Sequence, residues 1–464
     1  MDAARVRTVE ALRERIGRLG GLPGRGTAAP RSSARPQPPD RDAVAPRQPG
    51  FVAEGVGEGT AWVRRVSIEL RPFLERAGAA GPVAAAELLD LAYPGADLGR
   101  AGSTWDEVDV AVVDIESLGL RGSGVVPFLV GIGVPTGTRL HVDQLLLADP
   151  GEEGALLDAV LARLEARRLL VSYNGRAFDL PVLRSRCIVN RRPAASLEGR
   201  LHCDVLGPVR RLFRDRLGAC TLRQAELSLL GLVREGDVPG AEAPGRYRAW
   251  LRGAGPEELE GVVVHNQLDL CATIVLAARL AAHVAGRLVE PAHPADRYQL
   301  AAHLERRGVA EGIDDHYRAA YSARRSPWDR RAGHRLATRL QRRGGEAVGE
   351  AIAICSDLWD RDRLDLRAAR SLAVGLERSG RLPDALAVCA GALEVCGGTA
   401  PWRLALLRGA PREGWEEEWT RRQRRLARRI GGLRSMPLGS TAQRPPALVP
   451  EGAGAVVCPP LLAY

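Results

Sequence analysis

The pattern of apolar and polar positions changes period along the chain. Within residues 105–290, VDVAVVDIES and VVPFLVGIGV are Val/Ile-rich runs joined by the glycine-bearing LGLRGSG, and TRLHVDQLLL follows them. Short β-branched runs separated by turn residues predict three successive strands in an antiparallel meander. The next segment, EEGALLDAVLARLEARR, repeats apolar residues every third or fourth position and ends in arginines, which predicts an amphipathic helix. LLVSYNG predicts a fourth strand, and further helices are expected at Ala177–Cys187, Val205–Phe213, Thr221–Leu232 and Glu257–Val284. Such alternation predicts an α/β domain.

Either side of it the period differs. Residues 20–50 are rich in Pro, Gly, Ser and Arg and lack apolar periodicity, so residues 1–60 read as a mostly disordered leader. Residues 61–104 form an N-terminal edge segment in which PVAAAELLDLAYP suggests a helix. After about residue 290 only the helical period remains, with helices expected at Glu346–Trp359, Leu366–Arg378, Leu382–Val395 and Trp415–Ile430, in antiparallel pairs. This gives an all-α region over 330–430, and the Pro- and Gly-rich residues 431–464 read as a flexible tail.

Composition changes this picture modestly. The 464 residues suffice for about three domains. All 66 basic residues are arginine, against 56 acids, and the net charge is +10. Forked guanidinium groups suit phosphate, although an Ala-, Gly- and Arg-rich chain without Lys is also what GC-biased codons produce. Eight cysteines show no C-x-x-C pair, which predicts a reduced chain. Acids and arginines run through the N-terminal stretch where a signal peptide would be apolar. Glu260, His265, Asn266, Asp269 and Arg279 interrupt the apolar stretch Leu259–Val289, which a bilayer would penalise. The expectation is a cytoplasmic protein without membrane contact.

Three segments carry chemistry. In VVDIESLGL, Asp114 and Glu116 lie two apart and share one face of an apolar strand. Burying them unpaired is costly, and a divalent cation commonly relieves such a pair; the plainer alternative is an acid pair at a strand end. In LLVSYNGRAFDLPVL, Asn174-Gly175 turns the chain and Asp179 starts a helix, where an acid also complements the helix dipole. Phe178 either stacks on a base or anchors that helix. In VVVHNQLDL, His265 and Asp269 are four apart and share a helix face, as a site or as a structural hydrogen bond.

The order β-β-β-α-β-α resembles the ribonuclease H-like fold, in which these elements meet at one sheet edge. The succession DIE, NGRAFD and HNQLD resembles the DEDD superfamily of 3′-5′ exonucleases and, more closely, the YprB-type branch of bacterial ribonuclease H-like proteins. The likeness extends through FLVGIG, HCDVL, CTLRQAELSLLGLVREGDVPG and Pro244 to Tyr247, over Asp106 to Ala285. It implies a mixed sheet flanked by helices, an exonuclease domain over 105–290, and a tetratricopeptide-like C-terminal region, for which SGRLPDALAVCAGALEV is the best-matching helix pair.

The resemblance further implies two Mg²⁺ or Mn²⁺ ions held by Asp114, Glu116, Asp179 and Asp269, with His265 as general base. Asn174 would position the scissile phosphate or the loop carrying Asp179, and Phe178 would contact substrate. The interval from His265 to Asp269 is four, whereas DEDD enzymes with histidine more often have five. Asp204 is expected as a helix N-cap or as an acid behind the metal ligands. Arg210, Arg211, Arg214 and Arg216, and the cationic stretch Thr420–Arg429, are phosphate contacts or solvated faces. The implied partners are DNA or RNA ends and, through the C-terminal helices, a protein. The alternative is a catalytically inert nucleic-acid-binding or scaffold protein.

Overall fold

In β1 (Val52–Val56), β2 (Gly59–Glu69), β3 (Val110–Leu118), β4 (Val126–Thr136), β5 (Arg139–Leu146), β6 (Leu169–Ser172) and β7 (Leu201–Asp204), the backbone pairs into one mixed sheet of order β1-β2-β5-β4-β3-β6-β7. The computed structural model describes residues 48–57, 59–79, 85–92, 105, 109–119, 124–288, 293–309, 311–324, 327–411 and 414–434. The expected leader up to residue 47 and the tail from residue 435 lie outside the described residues.

The meander β3-β4-β5 is antiparallel, as the alternating runs predict. The helix α3 (Glu153–Glu165) then carries the chain across to β6, which lies parallel to β3. β3 is buried along nearly its whole length. That is the environment of a central strand covered on both faces, and it explains its continuous Val/Ile composition.

The N-terminal side differs from the sequence expectation. Residues 52–56, in the expected leader, form β1, and β2 pairs antiparallel with β5 from Trp62↔Leu146 to Glu69↔Arg139. Two preceding helices are α1 (Arg71–Arg76) and α2 (Ala85–Ala92), the latter inside PVAAAELLDLAYP. Arg64 and Arg65 break the apolar run of β2, and for this reason the strand lacks a clear period-two signature. β7, with four residues, is too short for periodicity to register.

Helices α4 (Asp179–Val189) and α5 (Leu206–Leu217) lie close to their expected places. The expected helix Thr221–Leu232 is instead a short α6 (Leu222–Ala225) that widens into a π turn over Glu226–Leu230 and stops at Gly231, whose φ is +65°. Next comes α7 (Ala243–Leu251), begun by Pro244. α8 (Glu257–Val284) spans the range the sequence predicts. It is long and apolar enough to cross a bilayer, yet 67% of its most apolar window is buried in the fold, and it serves as the core helix. Leu259, Val262 and Val263 join one apolar cluster and Leu270 to Ala282 the other.

Beyond it the chain is helical: α9 (Pro294–Arg306), α10 (Ile313–Ser322), α11 (Pro327–Arg343), α12 (Ala347–Arg361), α13 (Leu366–Arg378), α14 (Leu382–Gly397), α15 (Pro401–Leu406) and α16 (Trp415–Arg434). These helices share one core running from Leu300 to Leu426. The helical part thus begins upstream of residue 330, in polar, Arg-rich segments whose apolar stripe is thin. α9 packs on α5, with Arg216 paired to Asp296 at 2.9 Å. The seven cysteines among the described residues are all free.

Candidate active site

β3 brings Asp114 and Glu116 to one face, and a bulge between Glu116 and Ser117 bends the strand just beyond them. Asp114 stands opposite Gly131, which stands opposite Gln144 on β5. A Cβ at Gly131 would collide with the Asn266 amide and Leu270, so this glycine lets α8 approach the sheet. Through that gap the Asn266 Nδ2 donates to Asp114 Oδ2 at 2.8 Å. Gln144 Nε2 donates to Asn266 Oδ1 at 2.9 Å, and Gln267 Nε2 donates to Gln144 Oε1 at 2.6 Å. Asn266 and Gln144 are fully buried. This satisfied polar chain fixes the rotamer of Asp114.

Asp179, at the first position of α4, accepts the Ile115 N–H on Oδ1 at 3.0 Å. Its carboxylate therefore docks on the strand between the two β3 acids. The preceding turn is built for this. Asn174 has φ +68°, and Gly175 leaves room for Ser172 and Asp179. The Asp204 carboxylate receives the Asn174 N–H at 2.8 Å and the Arg176 N–H at 3.1 Å. Asp204 thus supports the turn and also takes the Leu206 N–H at 3.2 Å. Asn174 itself is exposed, whereas Phe178 is half-buried against the apolar core.

α8 supplies His265 and Asp269, with Nε2 and Oδ2 3.7 Å apart. Three charged residues unanticipated from sequence surround them: Glu226 in the π turn, and Arg234 and Asp237 in the loop that follows. Arg234 pairs with Glu226 at 2.5 Å, Asp269 at 2.6 Å and Asp237 at 3.2 Å. Asp237 Oδ1 lies 2.8 Å from His265 Nδ1. The available signal was the charge triplet in LGLVREGDVPG, beside an apolar run, but pairing across 35 residues of chain has no local period.

Burial holds the Asp114 carboxyl well above the usual range, and the charges of Asp269, Asp179 and Glu116 add to the effect against the Asn266 hydrogen bond. Burial, then Asp269, Asp179 and Asp237, pushes Glu116 up to about 8. Asp179 rises to about 7, chiefly by burial, although the backbone N–H groups of Asp179 and Ile115 oppose this. Burial would raise Asp237 too, but His265 and Arg234 outweigh it and hold that carboxyl low. The acids from β3, α4 and α8 therefore sense one another's charge.

Among the described residues no group of three His, Cys, Asp or Glu side chains stands in ion-holding geometry. Each of three acids has an oxygen engaged elsewhere: Asp114 by Asn266, Asp179 by Ile115, and Asp269 by Arg234. The donor set nevertheless fits a hard divalent cation, being carboxylate oxygen throughout, with Arg234 compensating Asp269 but not Asp114, Glu116 or Asp179.

Residues 111–281 match the family model of the RNase_H superfamily. The uncharacterized protein YprB of Bacillus subtilis (strain 168) is 32% identical over 189 residues, which are 40% of this chain and 46% of that protein. The chain thus spans about half the length of this relative. Among solved structures, the family B DNA polymerase from the hyperthermophilic archaeon Pyrobaculum calidifontis is similar at 14% identity with a TM-score of 0.32, over 46% of this chain and 29% of that one. The mixed sheet and the matched segment give this chain a ribonuclease H-like domain, similar in sequence to YprB over 189 residues.

Proposed function

We propose that this domain is a metal-dependent nuclease that hydrolyses phosphodiester bonds, acting as a 3′-5′ exonuclease on DNA or RNA ends. The observation that carries the reading is the approach of acids from three distant segments, Asp114 and Glu116, Asp179, and Asp269, where burial and then neighbouring negative charge raise the proton affinity of Asp114, Glu116 and Asp179. Two Mg²⁺ or Mn²⁺ ions bound there would supply Lewis acidity toward water and the phosphate. The chain's own residues do the rest. Asn266 and the Ile115 N–H aim the carboxylates. With its Nδ1–H donated to Asp237, His265 keeps Nε2 free to take a proton from the attacking water. Asn174 contacts the phosphate at the exposed turn, and Phe178 offers a base only the part of its ring outside the core.

The setting that fits this chemistry is the cytoplasm, and the C-terminal helices serve as a tetratricopeptide-like platform for a protein partner. One observation favours the alternative, an inert binding or scaffold protein: Arg234 already neutralises Asp269. The deciding experiment incubates the purified chain and Mn²⁺ with end-labelled single- and double-stranded DNA and RNA. Nucleotide release that needs the ion, and that falls at least about a thousandfold in Asp114→Asn/Glu116→Gln with folding retained, is expected from removing electrostatic catalysis. Undiminished release in that double variant would refute the assignment.

A further inference from the structure

A cavity of about 210 Å³ lies where the helical region meets the sheet domain, between α5, the π turn, α8, α9 and α10. Its described lining carries Arg216, Arg279 and Arg297 and the rings of His283, His293 and His316, against a single carboxylate, that of Asp296. The carboxylate is committed to Arg216, whose Nε lies 2.9 and 3.1 Å from its two oxygens. Arg297 donates from Nη1 to His316 Nδ1 at 3.1 Å, and among the described residues no carboxylate pairs with it. We propose that this cavity binds a small tetrahedral oxyanion, inorganic phosphate or the phosphate end of a phosphomonoester, at the seam between the two parts of the chain. The inference stands apart from the nuclease reading.

His283 singles the cavity out. It is 5% exposed, yet its Nε2 has no hydrogen-bond partner among the described residues, and its ring rests against Phe213 at 5.2 Å. A buried nitrogen left without a partner is costly, and an anion oxygen in the cavity would accept its hydrogen. Two further rings add donors. His316 accepts Arg297 on Nδ1, and His293 accepts the Ala295 N–H on Nδ1 at 3.2 Å, so in each neutral ring the proton sits on Nε2. Burial, then Arg279, His316, Arg297 and Arg216, lowers His283 to about 3. The ring is therefore neutral, and the positive field comes from guanidinium groups, which stay charged and suit phosphate. The volume falls below the roughly 300 Å³ at which sites for drug-sized ligands begin, which fits a phosphate group and leaves the rest of a phosphomonoester outside. Arg216 Nη1 also reaches the Ser228 carbonyl in the π turn at 3.4 Å, so a bound ion would brace the segment that bears Glu226.

The test titrates inorganic phosphate into the full chain by calorimetry, in chelator so that no metal bridges the ligand, and follows thermal melting against chloride at matched ionic strength. The wild type is expected to take up one phosphate and to melt higher with it than in chloride. Arg297→Gln and His283→Leu are each expected to bind phosphate at least about tenfold more weakly, the loss of one charge-assisted hydrogen bond, and to lose most of the rise in melting. Adenosine 5′-monophosphate in place of phosphate separates the two sources: tighter binding than phosphate assigns the site to a phosphomonoester, equal or weaker binding to the free ion. No uptake of either ligand by the wild type, a rise no larger than in chloride, or undiminished affinity in either variant overturns the proposal. Should a variant fail to melt cooperatively, His316→Ala, at a half-buried position, replaces it with the same expected loss, and undiminished affinity there overturns the proposal equally.

Discussion

Asn266 shows how one side chain joins stability to chemistry. Its amide reaches Asp114 on one side and Gln144 on the other, across the gap that Gly131 keeps open. Asn266→Ala would leave the Gln144 amide short of one partner and Asp114 without its donor. The expected loss is about 1–3 kcal/mol in urea unfolding, the cost of unsatisfied buried polar groups. Gly131→Ala is expected to cost about as much by overpacking, because the new methyl meets Asn266 and Leu270 rather than open space. Neither residue announces itself in the sequence. Asn266 lies inside the HNQLD motif and Gly131 inside FLVGIG, but no local period shows that the two meet.

At the scale of elements, the acids were legible where a single element places them. Asp114 and Glu116 follow the two-residue period of β3, and His265 and Asp269 the four-residue reach of α8. What stayed illegible depends on contacts between elements: the π turn that turns Glu226 inward, the loop bearing Arg234, and the two N-terminal strands whose pattern arginines interrupt. The turn at Asn174 separates backbone from side-chain roles. Its φ of +68° suits Gly, so Asn174→Gly should fold as well as the wild type, whereas Asn174→Ala should cost about 1 kcal/mol for the left-handed backbone. If the amide contacts the phosphate, Asn174→Gly still loses hydrolysis rate; full activity in a well-folded Asn174→Gly would assign the residue to the turn alone.

For the whole molecule, the raised carboxyls set a pH dependence. The folded chain holds protons on Glu116 to about pH 8 and on Asp179 to about pH 7, above the range in which an unfolded chain releases them. On these two groups the native protein therefore binds more protons than the unfolded chain, and their contribution to metal-free stability falls as pH rises through that window, by at most about 1.4 kcal/mol per pH unit for each group. Burial lowers His202 and His303 to about 4 and His283 to about 3, which gives the opposite slope up to the ordinary histidine range. Melting in chelator should therefore drop from about pH 7 to 8.5, and the rise on adding Mn²⁺ should grow over the same range as the acids deprotonate. A flat profile in chelator would contradict the crowding of these acids.

α8 has a further consequence at this scale. The helix that fills the centre of both apolar clusters is also the one bearing the histidine and the last acid. A product ending before residue 257 is thus expected to lose the packing of both apolar clusters along with His265 and Asp269, so that truncation there unfolds the domain and does not leave an intact fold lacking only those two side chains.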